Sequence, residues 1–291
     1  MRSFLDPKIL SRLAPLPLKA RIPMLGSVAG KHRSPVRGSS VEFAAYRKYV
    51  PGDDPRRLDW RAYGRSDRFY IKEFEADTNL RLCLIVDTSG SMNYKSGDKS
   101  KLEIARSMAG TLSYLASGQG DAVGLYLASE KLKTQIPPKR GSAHLRLVLD
   151  NLENMRAEDE TGLVEVLHET AERVSQRALV VIISDLFVRP ELLNKCFQHL
   201  RFRKHDVAIF HLLDRTETDF EFDRPIRFLD LEGTSHVLAD PPLILDEYRK
   251  SVSNYQESLK KIVSESAVDY HRVSLDEAYD QVLAKFLLGR S

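Results

Sequence analysis

The sequence predicts an α/β fold built on a largely parallel sheet with helices on both faces. Three observations carry this. Apolar runs of strand length recur at Leu80–Val86, Ala122–Ala128, Ala178–Ser184 and Val207–Leu213. Amphipathic segments of helical period lie between them. Turn residues separate one from the next, so strands alternate with helices.

Leu80–Val86 is apolar throughout, as expected of a parallel strand covered on both faces. In Lys101–Ser117, Ala105, Met108, Leu112 and Leu115 share a helical face, and Ser100 and Glu103 have capping-box spacing. Lys131–Ile136 reads as an edge strand and His144–Met155 as a helix. Gly162–Ser175 is another helix, with Leu163, Val166, Leu167, Ala171 and Val174 in register. Pro190 opens a helix that runs to about Arg203. Ile226–Leu231 and Ser235–Leu238 form a hairpin around Gly233. A long helix spans about 243–265, and Val268–Val273 is the last strand. Ser274 and Glu277 have capping-box spacing before a final helix that reaches about Leu288.

The chain of 291 residues has 42% hydrophobic and 29% charged residues, an ordinary soluble composition. No run of roughly 18 apolar residues exists to span a bilayer. The stretch Ile9–Leu18 is too broken by Ser11, Arg12, Pro15 and Pro17 for a signal peptide. Cys83 and Cys196 stand too far apart for a disulfide framework or a zinc site, and read as reduced core thiols. A cytoplasmic location is expected.

The organisation reads in three parts. Residues 1–40 form a basic segment with little regular structure beyond a short helix at 6–13. Residues 1–38 carry eight Lys/Arg against the single acid Asp6, a charge of +7, which leaves −4 for the remainder of a chain whose net charge is +3. Residues 41–77 form a small aromatic-rich N-terminal lobe, and residues 78–291 the α/β domain. Residues 42–75 hold eight of the chain's 24 aromatics, split by the turn Pro51-Gly52-Asp53-Asp54-Pro55. Seven acids beside eight bases there would repel phosphate, which argues against nucleic-acid binding by this lobe. It is expected to pack on the main domain, with Trp60 buried.

The chemistry concentrates in Asp87-Thr88-Ser89-Gly90-Ser91, at the end of the first central strand. Ligands of open α/β sheets gather at the carboxyl ends of strands. A carboxylate and two hydroxyls on one short loop make an all-oxygen set, suited to a hard cation such as Mg²⁺ or Mn²⁺. Thr161, ahead of the third helix, and Asp185, at the end of the second buried strand, fall at the same edge. The metal candidates are therefore Asp87, Ser89, Ser91, Thr161 and Asp185. Turn and cap chemistry is the competing reading, though Ser100 already caps the following helix.

Enzyme signatures are weak. Gly26-x-x-x-Gly30-Lys31-His32 is one residue short of a P-loop and lacks its Ser/Thr. A G-x-S-x-G elbow, a D-x-D phosphatase loop and an H-E-x-x-H pair are all missing from the sequence.

Asp87-x-Ser89-x-Ser91, followed by a Thr and a strand-end Asp, resembles the metal-ion-dependent adhesion site of von Willebrand factor A domains. The upstream block carries Val41-Glu42-Phe43, Tyr46-Arg47, Tyr49, Gly52-Asp53-Asp54, Arg56-Arg57, Asp59-Trp60, Asp67-Arg68 and Phe74-Glu75. It resembles the bacterial "domain of unknown function 58" family over about residues 40–288. The resemblance implies a von Willebrand A-like fold and a protein–protein interaction module. It also implies partnership with a MoxR-type AAA+ ATPase, a partner carboxylate reaching the metal. The rival classes are a metal-dependent phosphoesterase using Asp87 and Asp185 on one ion, and nucleic-acid binding through the basic N-terminal segment.

Overall fold

The computed structural model describes residues 2–21, 42–50, 58–66, 68–75, 80–128, 132–158, 160–233 and 235–290. The chain divides into two compact units, Ile22–Leu80 and Met1–Arg21 with Arg81–Ser291.

In the smaller unit, β1 (Glu42–Lys48) pairs antiparallel with β2 (Tyr70–Glu75), with a bulge between Phe43 and Ala45. Helix α2 (Trp60–Ser66) lies between them in sequence. Tyr63 stacks on Phe69 at 4.5 Å between ring centroids, and Trp60 meets Tyr63 edge-on at 6.3 Å. Trp60 keeps 62% of its surface exposed, against the expectation that it is buried. The Pro51–Pro55 turn and residues 22–41 lie outside the described residues.

The larger unit begins at the N-terminus. Helix α1 (Pro7–Leu13) is capped by Asp6, whose carboxylate accepts from the Lys8 N–H at 2.8 Å. Leu5, Leu10, Leu13 and Leu18 are all buried. Leucines spaced through a basic, proline-containing stretch give it a core face, so residues 2–21 belong to the α/β unit rather than to a poorly structured tail.

Its sheet contains β3 (Arg81–Asp87), β4 (Ala122–Ala128), β5 (Leu132–Lys139), β6 (Leu179–Ser184), β7 (Asp206–Leu213) and β10 (Asp269–Ser274). The spatial order is β10-β7-β6-β3-β4-β5, with every pairing parallel except β4–β5. Pro137 and Pro138 cannot donate to a ladder, which suits β5 to the edge. From β3 the chain first builds outward to β4 and β5, then crosses to β6 on the other side. The topological switch point therefore lies between β3 and β6.

Side chains alternate across the sheet. Cys83, Ile85, Val180, Ile182, Val207 and Ile209 face a core shared with α5 (Leu163–Arg173), α6 (Pro190–Phe202) and α8 (Pro241–Glu265). The other face is covered by α3 (Lys101–Gly118) with α1, α4 (Ser142–Asn154) and α9 (Tyr279–Leu288) packed around it. Cys83 and Cys196 are free and buried, and burial pushes both thiols up to about 12, so they are inert core groups.

The capping box at Ser100 and Glu103 forms as expected. The one at Ser274 and Glu277 does not, and α9 starts at Tyr279. Ser274 is still in the β10 ladder opposite Leu213, and the Leu275 N–H continues that ladder to the Leu213 carbonyl, so Ser274 is unavailable as a cap. A short helix, α7 (Arg215–Asp219), and a hairpin of β8 (Ile226–Leu229) and β9 (His236–Ala239) follow β7. Among the described residues no helix is long and apolar enough to cross a membrane.

Candidate metal-binding loop

Asp87 ends β3, beside the switch point, and is 1% exposed. Its Oδ1 accepts from the Ser89 N–H at 3.0 Å and from the Ser89 hydroxyl at 2.7 Å. Its Oδ2 accepts from the Ser184 hydroxyl at 2.6 Å, across the β3–β6 boundary. Ser89 Oγ lies 3.1 Å from Ser91 Oγ. The loop turns into a short 3-10 helix at Gly90–Asn93. Thr88 fastens it sideways, its hydroxyl donating to the Ala128 carbonyl at 2.9 Å.

Burial first, and then the nearby negative charge of Asp185, push the Asp87 carboxyl up to about 6, although Ser184 and Ser89 oppose the rise. At neutral pH the group is mostly ionised. Among the described residues no basic side chain pairs with it. A buried carboxylate supported only by hydroxyl and amide donors is an incompletely compensated charge.

The three oxygens fit a small hard cation. In an octahedron with ligands at about 2.1 Å, neighbouring oxygens lie about 3 Å apart. The Asp87–Ser89 and Ser89–Ser91 separations of 2.7 and 3.1 Å bracket that spacing. Groups of three or more His, Cys, Asp or Glu suited to a metal are absent among the described residues, so a cation here would rest on a mixed carboxylate and hydroxyl set.

Asp185 and Thr161 are placed differently. Asp185 Oδ2 accepts from the Lys101 ammonium at 2.9 Å, and the same ammonium donates to Glu217 Oε1 at 2.6 Å. Lys101 is fully buried, with the ring centroid of Phe187 4.8 Å away and that of Tyr94 5.6 Å away. Burial lowers its affinity for a proton, but Asp185 and Glu217 outweigh this and hold it above its ordinary value. Glu217 is itself fixed, because its Oε2 accepts the Asp214 N–H at 2.9 Å in a capping box at the start of α7. His211 Nε2 donates to the Asp185 carbonyl at 2.9 Å, and the next residue, buried Leu186, has φ +55°. Asp185 is thus the anchor of a buried ion-pair cluster. Lys101 and Glu217 escaped the sequence reading, since a lysine at a helix start and a glutamate in a polar stretch look solvated. The second acid in the 214–217 capping box was the available signal.

Thr161 offers its backbone to the site region, its N–H donating to Glu232 Oε2 at 3.3 Å. Its hydroxyl makes no hydrogen bond to the Asp87 loop among the described residues. Gly90 matters for a different reason. A Cβ there would lie 2.0 Å from the Leu231 carbonyl oxygen, so the β8–β9 turn crosses the loop in backbone contact that only glycine permits.

The family model described as "Protein of unknown function DUF58" matches residues 45–257. Uncharacterised proteins of Mycobacterium tuberculosis and Mycobacterium bovis are each 24% identical over 292 residues, covering 98% of this chain and 90% of theirs. Among solved structures, the chain is similar to an aerotolerance-related membrane protein of Bacteroides fragilis. That match has 15% identity and a TM-score of 0.49, over 72% of this chain and 100% of the other. BatB of Bacteroides thetaiotaomicron is 13% identical with a TM-score of 0.47, over 73% and 98%. The SpRpn10 VWA domain is 8% identical with a TM-score of 0.42, over 72% and 95%.

Proposed function

We propose that this chain, which belongs to the DUF58 family, is a protein–protein interaction module whose Asp87, Ser89 and Ser91 hold Mg²⁺ or Mn²⁺. One observation carries the reading: Asp87 is a buried carboxylate with no basic partner among the described residues, set against two hydroxyls at octahedral spacing. When bound, the ion supplies a positive charge on which a partner's carboxylate is received. The protein's own part is orientation. Ser184 fixes Asp87 Oδ2, Thr88 ties the loop to β4, and the switch point places the site at the carboxyl edge of the sheet. The rest of the interface, roughly 1,000 Å² or more in total, falls to the surrounding loops.

The proposed partner is a MoxR-type AAA+ ATPase, on the strength of the family resemblance, and the proposed place is the cytoplasm. The phosphoesterase alternative needs Asp185 on the same ion as Asp87, and the Asp185 carboxylate is engaged by Lys101.

A pull-down of the full chain against a MoxR-type ATPase tests the reading. Capture is expected in Mg²⁺ and lost in EDTA or with Ser89→Ala plus Ser91→Ala. Capture that survives both treatments rules out the metal bridge.

A further inference from the structure

The turn between β8 and β9 meets the Asp87 loop through its backbone. Asp230 closes it. Its Oδ1 accepts the Glu232 N–H at 2.9 Å and its Oδ2 accepts the Ser235 hydroxyl at 2.7 Å, while the Asp230 N–H reaches the Ser235 carbonyl at 3.0 Å. At Gly90 the turn touches the loop. A Cβ there would lie 2.0 Å from Leu231 O and 3.3 Å from the Glu232 Cα. Glu232 is thereby set beside the segment Ser89-Gly90-Ser91.

The Glu232 carboxylate is half used. Oε2 accepts the Thr161 N–H at 3.3 Å, a long bond, whereas Oε1 is buried and has no hydrogen-bond partner among the described residues. A buried carboxylate oxygen left without a donor costs at least as much as a lost hydrogen bond, and more when the group is charged. Asp87, at the start of the same loop, is also buried, with no basic partner among the described residues. Glu232 thus carries an unpartnered carboxylate oxygen on the turn that meets Gly90, between Ser89 and Ser91, and a cation held by the loop would offer a charge partner to it and to Asp87.

We propose that Glu232 is the chain's own carboxylate for the ion loop, occupying the position that a partner's Glu or Asp takes on docking. This rests on the metal reading given above and adds a regulatory consequence. The free protein is self-capped, and a partner engages by displacing the hairpin turn. Any partner must then supply a carboxylate and displace Glu232, so removing Glu232 opens the site. Thr161 contributes through its backbone, by positioning Glu232.

The test is Mn²⁺ titration of the full chain, with free ion read by electron paramagnetic resonance and bound-ion hydration by water-proton relaxation. The proteins are wild type, Glu232→Ala, the near-isosteric Glu232→Gln and Asp87→Ala. Glu232→Gln keeps the turn's shape, so it guards against a misfolded alanine variant. Both Glu232 variants are expected to weaken Mn²⁺ by about tenfold or more, and to add exchangeable water to the ion that remains bound. Asp87→Ala is expected to abolish binding. If wild type binds Mn²⁺ through Asp87 but both Glu232 variants match it in affinity and hydration, Glu232 is not a ligand and the metal reading stands alone. If wild type binds no Mn²⁺, both are overturned.

Discussion

Ser184 donates its hydroxyl to Asp87 Oδ2 at 2.6 Å, joining the ends of two adjacent parallel strands, β6 and β3. The same hydroxyl oxygen accepts the Leu186 N–H at 2.9 Å, so one buried group fixes the carboxylate and the turn after β6 together. Ser184→Ala leaves a buried carboxylate oxygen and a backbone N–H without partners. Urea unfolding of the metal-free protein is expected to show a loss of about 1–3 kcal/mol. An unchanged midpoint would mean that Asp87 is supported elsewhere.

Lys101 is held by two acids from distant parts of the chain. Lys101→Met keeps the stem and removes the ammonium, leaving Asp185 and Glu217 buried without their cation. Breaking a buried pair in this way costs about 3–5 kcal/mol. A thermal or urea midpoint close to wild type would show that solvent reaches the cluster and compensates it.

The N-terminal segment is part of the core. Leu13 and Leu18 are fully buried, and α1 packs with α3 and α9. Leu13→Ala is expected to destabilise the protein by about 2–5 kcal/mol, and the loss should appear as one cooperative shift of the α/β unit. A change under about 0.5 kcal/mol would mark the segment as a surface strap.

Acid should weaken the metal-free protein. Burial holds His205 and His211 down to about 4 each. The unfolded chain therefore takes up their protons first, near the ordinary value of about 6.5. Their contribution is intact above that value and is lost as pH falls toward 4. Asp87, raised to about 6, acts in the opposite sense, because the folded state binds its proton more readily between about 6 and its ordinary 3.8. From pH 7 to 5 the balance is a net loss of about 2–3 kcal/mol, dominated by the two histidines. Unfolding curves at the two pH values check it, and His211→Gln should flatten the dependence. Stability that rises on acidification would reverse the sign.

Much of this architecture was legible in the sequence, for physical reasons that differ by element. Strands β4 and β6 are buried on both faces and bounded by turn residues, so Ala122–Ala128 and Ala178–Ser184 could be read almost to the residue. The position of Asp87 at a strand end was legible because an apolar run stops there and turn residues follow. What could not be read was pairing over distance. Lys101 and Asp185 are 84 residues apart, and Lys101 lies 116 from Glu217. Local pattern offers no sign that a lysine opening an amphipathic helix will be fully buried. The first 21 residues misled for a similar reason, because their basic composition hid four leucines that meet a core supplied by α3 and α9. The backbone N–H of Thr161 meets Glu232, a contact set by a hairpin turn 71 residues later that local pattern does not reveal.

The central claim is that Asp87, Ser89 and Ser91 bind one divalent cation in the native state. The most direct measurement is the thermal midpoint of wild type and Asp87→Ala in EDTA and in saturating Mg²⁺. A ligand at about 100 times its dissociation constant stabilises the native state by about 2.7 kcal/mol, which corresponds to roughly 5–10 °C for a unit of this size. The account predicts that rise for wild type and none for a folded Asp87→Ala. An equal rise in both proteins, or no rise in wild type, would contradict it.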